Sequence, residues 1–422
     1  MFDRGYGDPL PYISAWHQAP LHVGRDLMDI SDSVARSEAE QGFEAIHGRR
    51  PSGVWVAPGR VNLIGEHTDY SGGLVLPMAI PQVCTVAAAT RDDGQISVCS
   101  RQQPEDRTLA PVTVDPGQVQ GWAAYAVGIA WALREAGHRI AGADIVLDST
   151  VPIGAGLSSS AAIGCSVASA LRDLFDLPLN GLELAAIARR CENEFVGAPT
   201  GVMDQAVSMM AEAGHLLYLD TRSMEIVQVP FALAESGLTL LVIDTRTSHE
   251  HHDGGYGSRR KAVEDGARLL GVSELRDVEV VDLPVALTRL EEVADADSAV
   301  IARRVRHVVT ENARVRAVVE VLESGADPRQ VGPILTAGHA SLRDDFEIST
   351  PELDVAAEAA EAAGAYGARM TGGGFGGSAI ALVDTDAVDE VKAAVDRAYA
   401  ERGFQPAAFF SAIPAAGAHR LS

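Results

Sequence analysis

The spacing of apolar residues changes several times along the chain, and each change predicts a different element. Short apolar runs broken by glycine and proline begin at Gly53 and predict strands and turns. Helical spacing begins at Trp122, residues 143–149 predict a strand, and residues 152–156 interrupt it. The apolar residues that follow recur at helical spacing, at Ile163, Val167, Leu171 and Leu174. These patterns predict a strand, a glycine loop and a helix in succession.

Two more helices are predicted before residue 211. The first has apolar residues at helical spacing over residues 184–195 and ends at Gly197. Thr200 is expected to cap the second helix at its N-terminus. Asp204 would then lie in the first turn of that helix, where the helix dipole stabilises a negative charge.

The second half of the chain is rich in helical spacing to about residue 364, and strand-like runs lie on both sides of that region. The strand-like runs are 216–219, 238–244, 366–371 and 379–383, with a last one near Ala407. Because strands and helices do not alternate strictly, we expect two α+β domains that meet near residue 225. Residues 1–50 would form an N-terminal extension that contains one helix.

The charge and composition exclude several classes of partner. The 422 residues include 34 Lys+Arg and 58 Asp+Glu, which gives a formal net charge of −24. A negative field repels phosphate backbones and anionic membrane surfaces, so neither nucleic acid nor a membrane is an expected partner. No apolar run reaches the ~18 residues of a membrane span. The four cysteines lack metal-binding spacing, so we expect buried thiols in a cytoplasmic protein.

The first glycine loop, residues 152–162, has the chemistry of a phosphate site. Its small residues allow successive backbone N–H groups to converge on an anion, and the following helix would add its positive N-terminus. The hydroxyls of Ser158, Ser159 and Ser160 add donors for phosphate oxygens or ligands for Mg²⁺. The chain contains no Gly-Lys pair, so this is not a GxxxxGK[ST] loop. The local pattern alone leaves open a tight strand-to-helix turn with a serine N-cap.

The second glycine loop, residues 371–377, contains a formal GxGxxG pattern that we do not interpret as a dinucleotide site. That fingerprint must begin a helix, whereas residues 378–383 predict a strand. The loop could be a simple hairpin linker. Its five glycines cost much backbone entropy, which favours a position where another backbone or a ligand comes close.

Residues 59–70 place several polar side chains in an otherwise apolar region, among them Arg60, Glu66, His67 and Asp69. Carboxylates and an imidazole on one loop suit a polyhydroxylated ligand, because each sugar hydroxyl both donates and accepts a hydrogen bond. A solvated surface turn is the alternative interpretation. The apolar runs on both sides argue against full exposure of the segment.

The tract 249–253 contains three histidines, a glutamate and an aspartate, a composition that also occurs in metal sites. Neighbouring side chains on an extended chain point to opposite faces, so few of them could share one ion. We therefore expect a polar loop here and no metal site.

Residues 59–70, 152–162 and 371–377 resemble, in order and spacing, the three signatures of the galacto-, homoserine, mevalonate and phosphomevalonate (GHMP) kinase superfamily. Within it, residues 59–70 resemble the signature of the galactokinase family. The similarity extends through residues 201–205 and 253–257. Agreement at five separated places makes chance an inadequate explanation.

This resemblance implies an α+β, two-domain GHMP-kinase fold with the active site between the domains. A ribosomal-protein-S5-like α/β domain would span residues 51–225, and a ferredoxin-like α+β domain residues 226–422. One departure is Ser71, which stands where the family commonly has Asn. The first residues of the chain have no counterpart in the resemblance.

The resemblance also assigns roles to individual residues. Asp204 matches the catalytic base that faces the anomeric hydroxyl of the sugar, and Arg60 matches the cation beside the attacking oxygen. The residues implied to hold the other sugar hydroxyls are Glu66, His67, Asp69, Gly201 and Tyr256.

ATP and Mg²⁺ are the implied cofactors. The residues that would cradle the nucleotide phosphates are Gly154, Gly156, Leu157, Ser158, Ser159 and Ser160. Glu192, with Ser159 or Ser160, matches the metal ligands, and hard Mg²⁺ prefers such oxygen atoms. Trp122 and Tyr125 resemble the aromatic residues of the adenine pocket, although ordinary core packing would explain them equally well.

The implied activity is ATP-dependent phosphorylation of D-galactose at its anomeric hydroxyl, giving galactose 1-phosphate. The expected partners are the small molecules galactose and ATP, and we expect a monomer. A kinase of N-acetylgalactosamine or another hexose is one alternative, but Gly373 and Phe375 match galactokinases in the third signature. A non-catalytic galactose sensor would lose residues from the serine loop, which is whole here at residues 158–161. A purely structural protein would not need these motifs together.

Overall fold

The computed structural model of this chain describes residues 25–247, 255–293 and 297–422. Its helices, in chain order, are α1 (Arg25–His47), α2 (Trp122–Glu135), α3 (Ser159–Leu174), α4 (Gly181–Arg190), α5 (Met203–Met210), α6 (Gly255–Leu270), α7 (Leu283–Glu291), α8 (Ser298–Glu323), α9 (Gly332–Ser341), α10 (Pro351–Ala362) and α11 (Val388–Arg402). Its strands are β1 (Gly53–Asn62), β2 (Leu74–Val75), β3 (Pro77–Thr90), β4 (Gln95–Ser100), β5 (Gln103–Pro111), β6 (Ala143–Ser149), β7 (His215–Asp220), β8 (Glu225–Pro230), β9 (Leu238–Asp244), β10 (Gly367–Thr371), β11 (Ser378–Asp384), β12 (Ala408–Ala412) and β13 (His419–Arg420). Two π-helical turns, Cys191–Val196 and Leu342–Phe346, follow α4 and α9.

The largest sheet among the described residues has six strands in the order β13-β1-β3-β6-β4-β5. Strand β3 pairs antiparallel with β1 and β6, whereas β4 and β6 are parallel. The last strand of the chain, β13, pairs with β1. The C-terminal end of the chain is therefore hydrogen-bonded to the N-terminal half.

Both faces of this sheet are covered, as the alternation along β1 requires. Val54 and Val56 face α1 and cluster with its fully buried Phe43. Trp55 and Ala57 point to the opposite face and join the main core, which α2, α3 and α4 complete. Helix α1, predicted within an N-terminal extension, is thus packed on the sheet.

The second sheet has four antiparallel strands in the order β10-β11-β9-β12. Leu240 and Val242 of β9 belong to the main core, while Leu241 and Ile243 belong to a second core with α8, α10 and α11. Because β9 is buried on both faces, its sequence is a continuous apolar run without polar alternation. This sheet therefore separates the two cores and contributes to both.

A small third sheet has the order β2-β7-β8; β2 lies between β1 and β3 in the sequence, whereas β7 and β8 lie between β6 and β9. Strands β7 and β8 form an antiparallel hairpin in which Asp220 pairs with Glu225. The predicted domain boundary near residue 225 falls inside this hairpin. The division into residues 51–225 and 226–422 stays a prediction, and β13 pairs across it.

Several predicted elements are confirmed. The strand, glycine loop and helix over residues 143–174 are present as β6, the loop and α3. The helix predicted over residues 184–195 is present as α4 with its π-helical turn, and it ends at Gly197, whose φ of 90° is in the left-handed region. The glycine loop 372–377 connects β10 and β11, so a strand follows it as predicted. All four cysteines are buried and free.

The predicted N-cap of the helix that contains Asp204 is wrong. Helix α5 begins at Met203, and its N-cap is Val202 without a side-chain hydrogen bond. The N–H and hydroxyl of Thr200 instead donate to Asn193 Oδ1, at 3.0 and 3.1 Å. Met203 N–H, one of the free donors at the helix start, donates to Asp69 Oδ2 at 3.4 Å. Asp69, which is distant in the sequence, thus accepts the hydrogen bond at the helix start for which the local pattern predicted Thr200.

Among the described helices, none is both long and apolar enough to cross a membrane.

Candidate active site

A cleft of about 260 Å³ brings together residues from five separate segments of the chain. Nine of the residues predicted for the site line it: Arg60, Glu66, His67, Asp69, Gly156, Ser158, Gly201, Asp204 and Tyr256. Thr200, Met203, Gly372 and Gly373 complete its wall. The polar segment 59–70, the first glycine loop and the second glycine loop therefore meet at one site.

The floor of the cleft is an ion pair between Arg60 and Asp204. Arg60 donates two hydrogen bonds to the carboxylate, from Nε to Oδ1 at 2.9 Å and from Nη2 to Oδ2 at 3.0 Å. Ser158 Oγ donates to the same Oδ2 at 2.5 Å. Such a bidentate pair holds the carboxylate in one orientation, because the planar guanidinium matches its two oxygens.

Strand β1 and the first glycine loop hold each other in place. The backbone N–H of Arg60 donates to Leu157 O at 3.1 Å, and its Nη1 donates to Gly156 O at 2.5 Å. The register of β1 against β3 shifts between Pro58 and Arg60, which turns this end of the strand toward the loop. Ser378 Oγ donates to Ala155 O from the other side at 2.8 Å.

The glycine loop itself has the backbone that its sequence predicts. Gly154 and Gly156 have φ angles of 78° and 74°, and Ser158 adopts the same left-handed region at 59°. A Cβ atom on Gly154 would meet nothing within 4 Å, so the outer side of the loop is open. Ser158 is the N-cap residue of α3, but its hydroxyl does not cap the helix and is directed to Asp204. The N-terminus of α3 thus faces an open, glycine-lined surface that suits an anion.

Glu192 lies buried beside this ion pair, in the π-helical turn after α4. Gln205 Nε2 donates to its Oε2 at 2.5 Å, and the nearby side chains of Ser160 and Thr200 favour its charged form. Burial, and then the nearby charge of Asp204, raise the pKa of Glu192 to about 7. A cation at this position would favour the ionised carboxylate.

Two acidic side chains of the segment 59–70 lie in the wall of the cleft, Glu66 buried and Asp69 partly exposed. Burial, and then repulsion from Asp204, raise the pKa of Asp69 to about 6. Glu66 Oε1 accepts from Gly372 N–H at 3.4 Å, and burial raises the pKa of Glu66 to about 7. Each of these two carboxylates therefore ionises at a higher pH than is usual for its residue type.

His67 connects two loops and uses both of its ring nitrogens to do so. Its Nε2 lies 3.0 Å from Gly373 O, which can only accept, so Nε2 carries the proton and donates. Its Nδ1, 2.9 Å from Tyr70 Oη, therefore accepts from that hydroxyl. Burial lowers the pKa of His67 to about 4, which keeps the ring neutral. The ring also packs on Tyr256, with centroids 4.9 Å apart.

The predicted residues that do not line the cleft are Gly154, Leu157, Ser159, Ser160, Glu192 and Trp122. All of them except Trp122 belong to the glycine loop, to the start of α3 or to the surroundings of Asp204. Trp122 starts α2, donates from Nε1 to Asp106 Oδ2 at 3.3 Å and packs partly on the main core. The tract 249–253 lies outside the described residues. Within the described part, no group of three or more His, Cys, Asp or Glu is placed to hold a metal ion.

Comparisons with known proteins identify the family of this chain. A family model of the galactokinase galactose-binding signature matches residues 41–90, and models of the GHMP kinase N-terminal and C-terminal domains match residues 124–212 and 317–401. A galactokinase from Streptomyces coelicolor is 52% identical over 393 residues, which are 93% of this chain and 100% of that protein. The chain belongs to the galactokinase family.

Other members of the galactokinase family extend the comparison. A galactokinase from Mycobacterium bovis is 42% identical over 86% of this chain and 97% of its own length. The structure of Lactococcus lactis galactokinase complexed with galactose has a TM-score of 0.84 and 31% identity, covering 91% of this chain and 99% of that one. A mevalonate kinase structure, 17% identical with a TM-score of 0.58 over 87% of this chain and 99% of its own, shares the fold. The predicted GHMP-kinase fold is confirmed.

Three buried residues behind the cleft were not predicted from the sequence. Arg369 of β10 and Glu311 of α8 are both fully buried, and Arg369 binds Glu66 and Glu311 at once. His307 donates from Nε2 to the backbone oxygen of Glu66 at 3.1 Å. One signal was available for Arg369, because a charged residue in the middle of a short apolar strand must be paired inside the protein.

Replacing Gly201 by alanine should destabilise the protein, because a Cβ atom there would overlap the Asp69 carboxylate. We expect the free energy of unfolding of Gly201→Ala to fall by about 1–3 kcal/mol, as for other overpacked sites. Urea unfolding followed by circular dichroism measures the change. In the control Gly164→Ala, the new Cβ lies 3.5 Å from Ala188 Cβ, an ordinary contact. That variant should gain up to about 1 kcal/mol, because alanine favours a helix over glycine. Equal stability of both variants would contradict the position of Asp69.

Proposed function

We propose that this protein transfers the γ-phosphoryl group of ATP to the anomeric hydroxyl of D-galactose, giving galactose 1-phosphate and ADP. One observation carries the proposal: the Arg60–Asp204 pair forms the floor of a cleft between the glycine loop and a buried set of sugar-type ligands. Membership of the galactokinase family and the likeness to a galactose-bound galactokinase support the same substrate.

The Asp204 carboxylate would serve as the base. As the anomeric oxygen forms its bond to the γ-phosphorus, the bond to the bridging oxygen of ADP breaks and the hydroxyl proton passes to Asp204. Arg60 holds Asp204 in place through two hydrogen bonds and supplies fixed positive charge beside the oxygen that attacks. Ser158 would align the same carboxylate from the phosphate loop.

Galactose would be recognised by side chains that are already oriented by the fold. Asp69, Glu66 and Tyr256 line the cleft with oxygen atoms that can meet sugar hydroxyls. His67 was predicted to hold a hydroxyl as well, but both of its nitrogens have protein partners. We propose that His67 instead shapes the pocket, by joining the sugar segment to the second glycine loop and supporting the Tyr256 ring.

ATP would bind with its phosphates over the open loop that contains Gly154 and Gly156, at the N-terminus of α3. Ser159 and Ser160 would add hydroxyl donors, whereas Leu157 and Ser158 would contribute their backbone, because the Ser158 hydroxyl donates to Asp204. Trp122 remains a proposed neighbour of the adenine base.

A cytoplasmic location and a monomeric state stay predictions from the sequence.

The residues around Glu192 fit Mg²⁺ in their chemistry. The Glu192 carboxylate and the Ser160 hydroxyl are hard oxygen donors, and Ser159 lies next to them in the chain. Gln205 Oε1 is buried and finds no hydrogen-bond partner among the described residues. We propose that Glu192 and Ser160 or Ser159 hold the ion, whose chemistry when bound is to neutralise the charge of the ATP phosphates.

The first test is substrate choice among free hexoses with ATP. Galactose should exceed glucose and N-acetylgalactosamine in kcat/KM by roughly 10²-fold or more, because the first is an epimer and the second replaces a hydroxyl by an acetamido group, and each change leaves polar groups of the site unpaired. A coupled assay of ADP release measures all three sugars. Equal turnover of N-acetylgalactosamine would reassign the protein to a different sugar kinase, and galactose binding without turnover would make it a sensor.

The second test concerns the base. Asp204→Asn keeps the size of the side chain but removes the proton acceptor, so kcat with galactose should fall by roughly 10²–10⁴-fold. Asp220→Asn is a matched control, because Asp220 also pairs with an arginine, Arg276 at 2.8 Å, and its side chain is 18% exposed against 21% for Asp204. The control should keep near-full turnover. Near-full turnover of a folded Asp204→Asn variant would exclude Asp204 as the base.

The third test concerns the metal. Glu192→Gln removes the proposed carboxylate ligand, so the Mg²⁺ concentration for half-maximal activity should rise by roughly tenfold or more while galactose binding is retained. Glu194→Gln is the control, since Glu194 lies in the same π-helical turn but is exposed and pairs with Arg190. Titration of Mg²⁺ at saturating galactose and ATP compares the variants. If the two titrations coincide with that of the wild type, the metal lies elsewhere.

A further inference from the structure

Glu66 is the most buried carboxylate of the cleft wall, and it is held from behind by Arg369. Glu66 is 1% exposed and Arg369 is completely buried. Arg369 Nη2 donates to Glu66 Oε2, and the opposite oxygen, Oε1, accepts from Gly372 N–H. The carboxylate is therefore fixed between the strand β10 and the loop that follows it.

The same guanidinium nitrogen is shared with a second carboxylate. Arg369 Nη2 also donates to Glu311 Oε1 at 2.8 Å. Glu311 has further partners, since it accepts from Gly65 N–H at 3.0 Å and from Arg314 Nε at 2.7 Å. Glu311 thus has two guanidinium partners, Arg369 and Arg314, whereas the one guanidinium partner of Glu66 is shared with Glu311. Neither Arg369 nor Glu311 lines the cleft.

This distribution of charge shifts the pKa values of the two carboxylates in opposite directions. Burial alone would raise the pKa of Glu311, but the guanidinium groups of Arg369 and Arg314 hold it well below its usual range. Burial raises the pKa of Glu66 to about 7, with Arg369 opposing the shift and Glu311 adding to it. Because Arg314 pairs with Glu311 in addition to the shared Arg369, Glu311 is compensated more fully than Glu66.

The two histidines that lie against Glu66 do not change charge near neutral pH. Burial lowers the pKa of His67 to about 4 and that of His307 to about 3, so both rings are neutral. Asp69, in the same cleft, titrates separately because its pKa is raised to about 6 by burial and by Asp204. A change at Glu311 should therefore act on Glu66 and leave the contribution of Asp69 in place.

We infer that Arg369 and Glu311 are positioning residues for the sugar: Arg369 orients the Glu66 carboxylate, and Glu311 sets how readily that carboxylate carries its charge. The inference rests on the proposed function, because it assigns Glu66 to the sugar. Ionised Glu66 accepts hydrogen bonds from sugar hydroxyls, and this form is lost as the pH falls through the raised pKa. Galactose affinity should therefore decline as the pH is lowered from 8 to 6.

The test measures the Kd of galactose by titration calorimetry from pH 8 to pH 5.5, without ATP, for the wild type and three variants. Glu311→Gln removes the competing charge, so the midpoint of the pH dependence should move down by roughly one pH unit. Arg314→Gln removes a cation from Glu311, so the midpoint should move up. In Arg369→Lys the ammonium ends one bond short of the Nη2 position that donates to both carboxylates, so galactose affinity at pH 8 should weaken by roughly tenfold or more.

A matched control lies at the far end of the same two strands. Arg329 donates to Asp384, the last residue of β11, and to Tyr366, the residue before β10. Arg329→Lys should leave the galactose Kd and its pH dependence unchanged. The KM for ATP should also remain within about twofold in every variant, because the cluster does not touch the phosphate loop; a general loss of packing would alter both substrates.

The outcomes separate this inference from the proposed function. Opposite shifts for Glu311→Gln and Arg314→Gln support it, and they decide the matter even if Arg369→Lys does not fold. An unchanged midpoint in the folded variants would overturn it, even with wild-type galactokinase activity intact. Absence of galactose binding and turnover in the wild type would instead overturn the proposed function.

Discussion

The ion pair between Arg60 and Asp204 is the interaction on which the geometry of the cleft depends. Arg60 lies near the end of the buried strand β1, Asp204 lies in the first turn of the short helix α5, and the same guanidinium also binds the glycine loop through Gly156 O. Ser158 closes the set from the loop side. A bidentate pair tolerates little displacement, so strand, loop and helix must keep one relative position. The proposed base, the arginine beside it and the glycine loop are therefore oriented together.

The buried charges around this pair divide into two kinds. Asp204 is compensated by two hydrogen bonds from one guanidinium, and Glu311 by two guanidinium groups. Asp69, Glu66 and Glu192 are compensated less completely, and burial raises the pKa of each. The less compensated carboxylates are those assigned to the sugar and the metal, whose hydroxyls and positive charge would stabilise the ionised form. Ligand binding would thus supply partners that the protein alone lacks.

The arrangement of the sheets explains why segments so distant in sequence meet. The four-stranded sheet is buried on both faces and belongs to the main core on one of them, so the loop after β10 lies against β1. Thr371 and Asn62 exchange hydrogen bonds there, at 2.8 and 3.1 Å. The glycines of that loop are needed because Gly372 lies next to Gly156 O, where a Cβ would come within 3.0 Å. The loop is both a hairpin connection and a close backbone contact.

The sequence by itself determined the elements whose causes are local, together with the residues that resemble known signatures. Left-handed glycines at Gly154 and Gly156 and the continuous apolar run of β9 follow from backbone sterics and from burial on two faces. Tertiary structure decided the rest, because it depends on partners far apart in the chain. It moved the start of α5 from Thr200 to Met203, gave both nitrogens of His67 to protein groups, and placed Arg369 between Glu66 and Glu311. Hydrogen bonds and charge pairs across hundreds of residues leave no periodic trace in a sequence, so only the folded chain shows them.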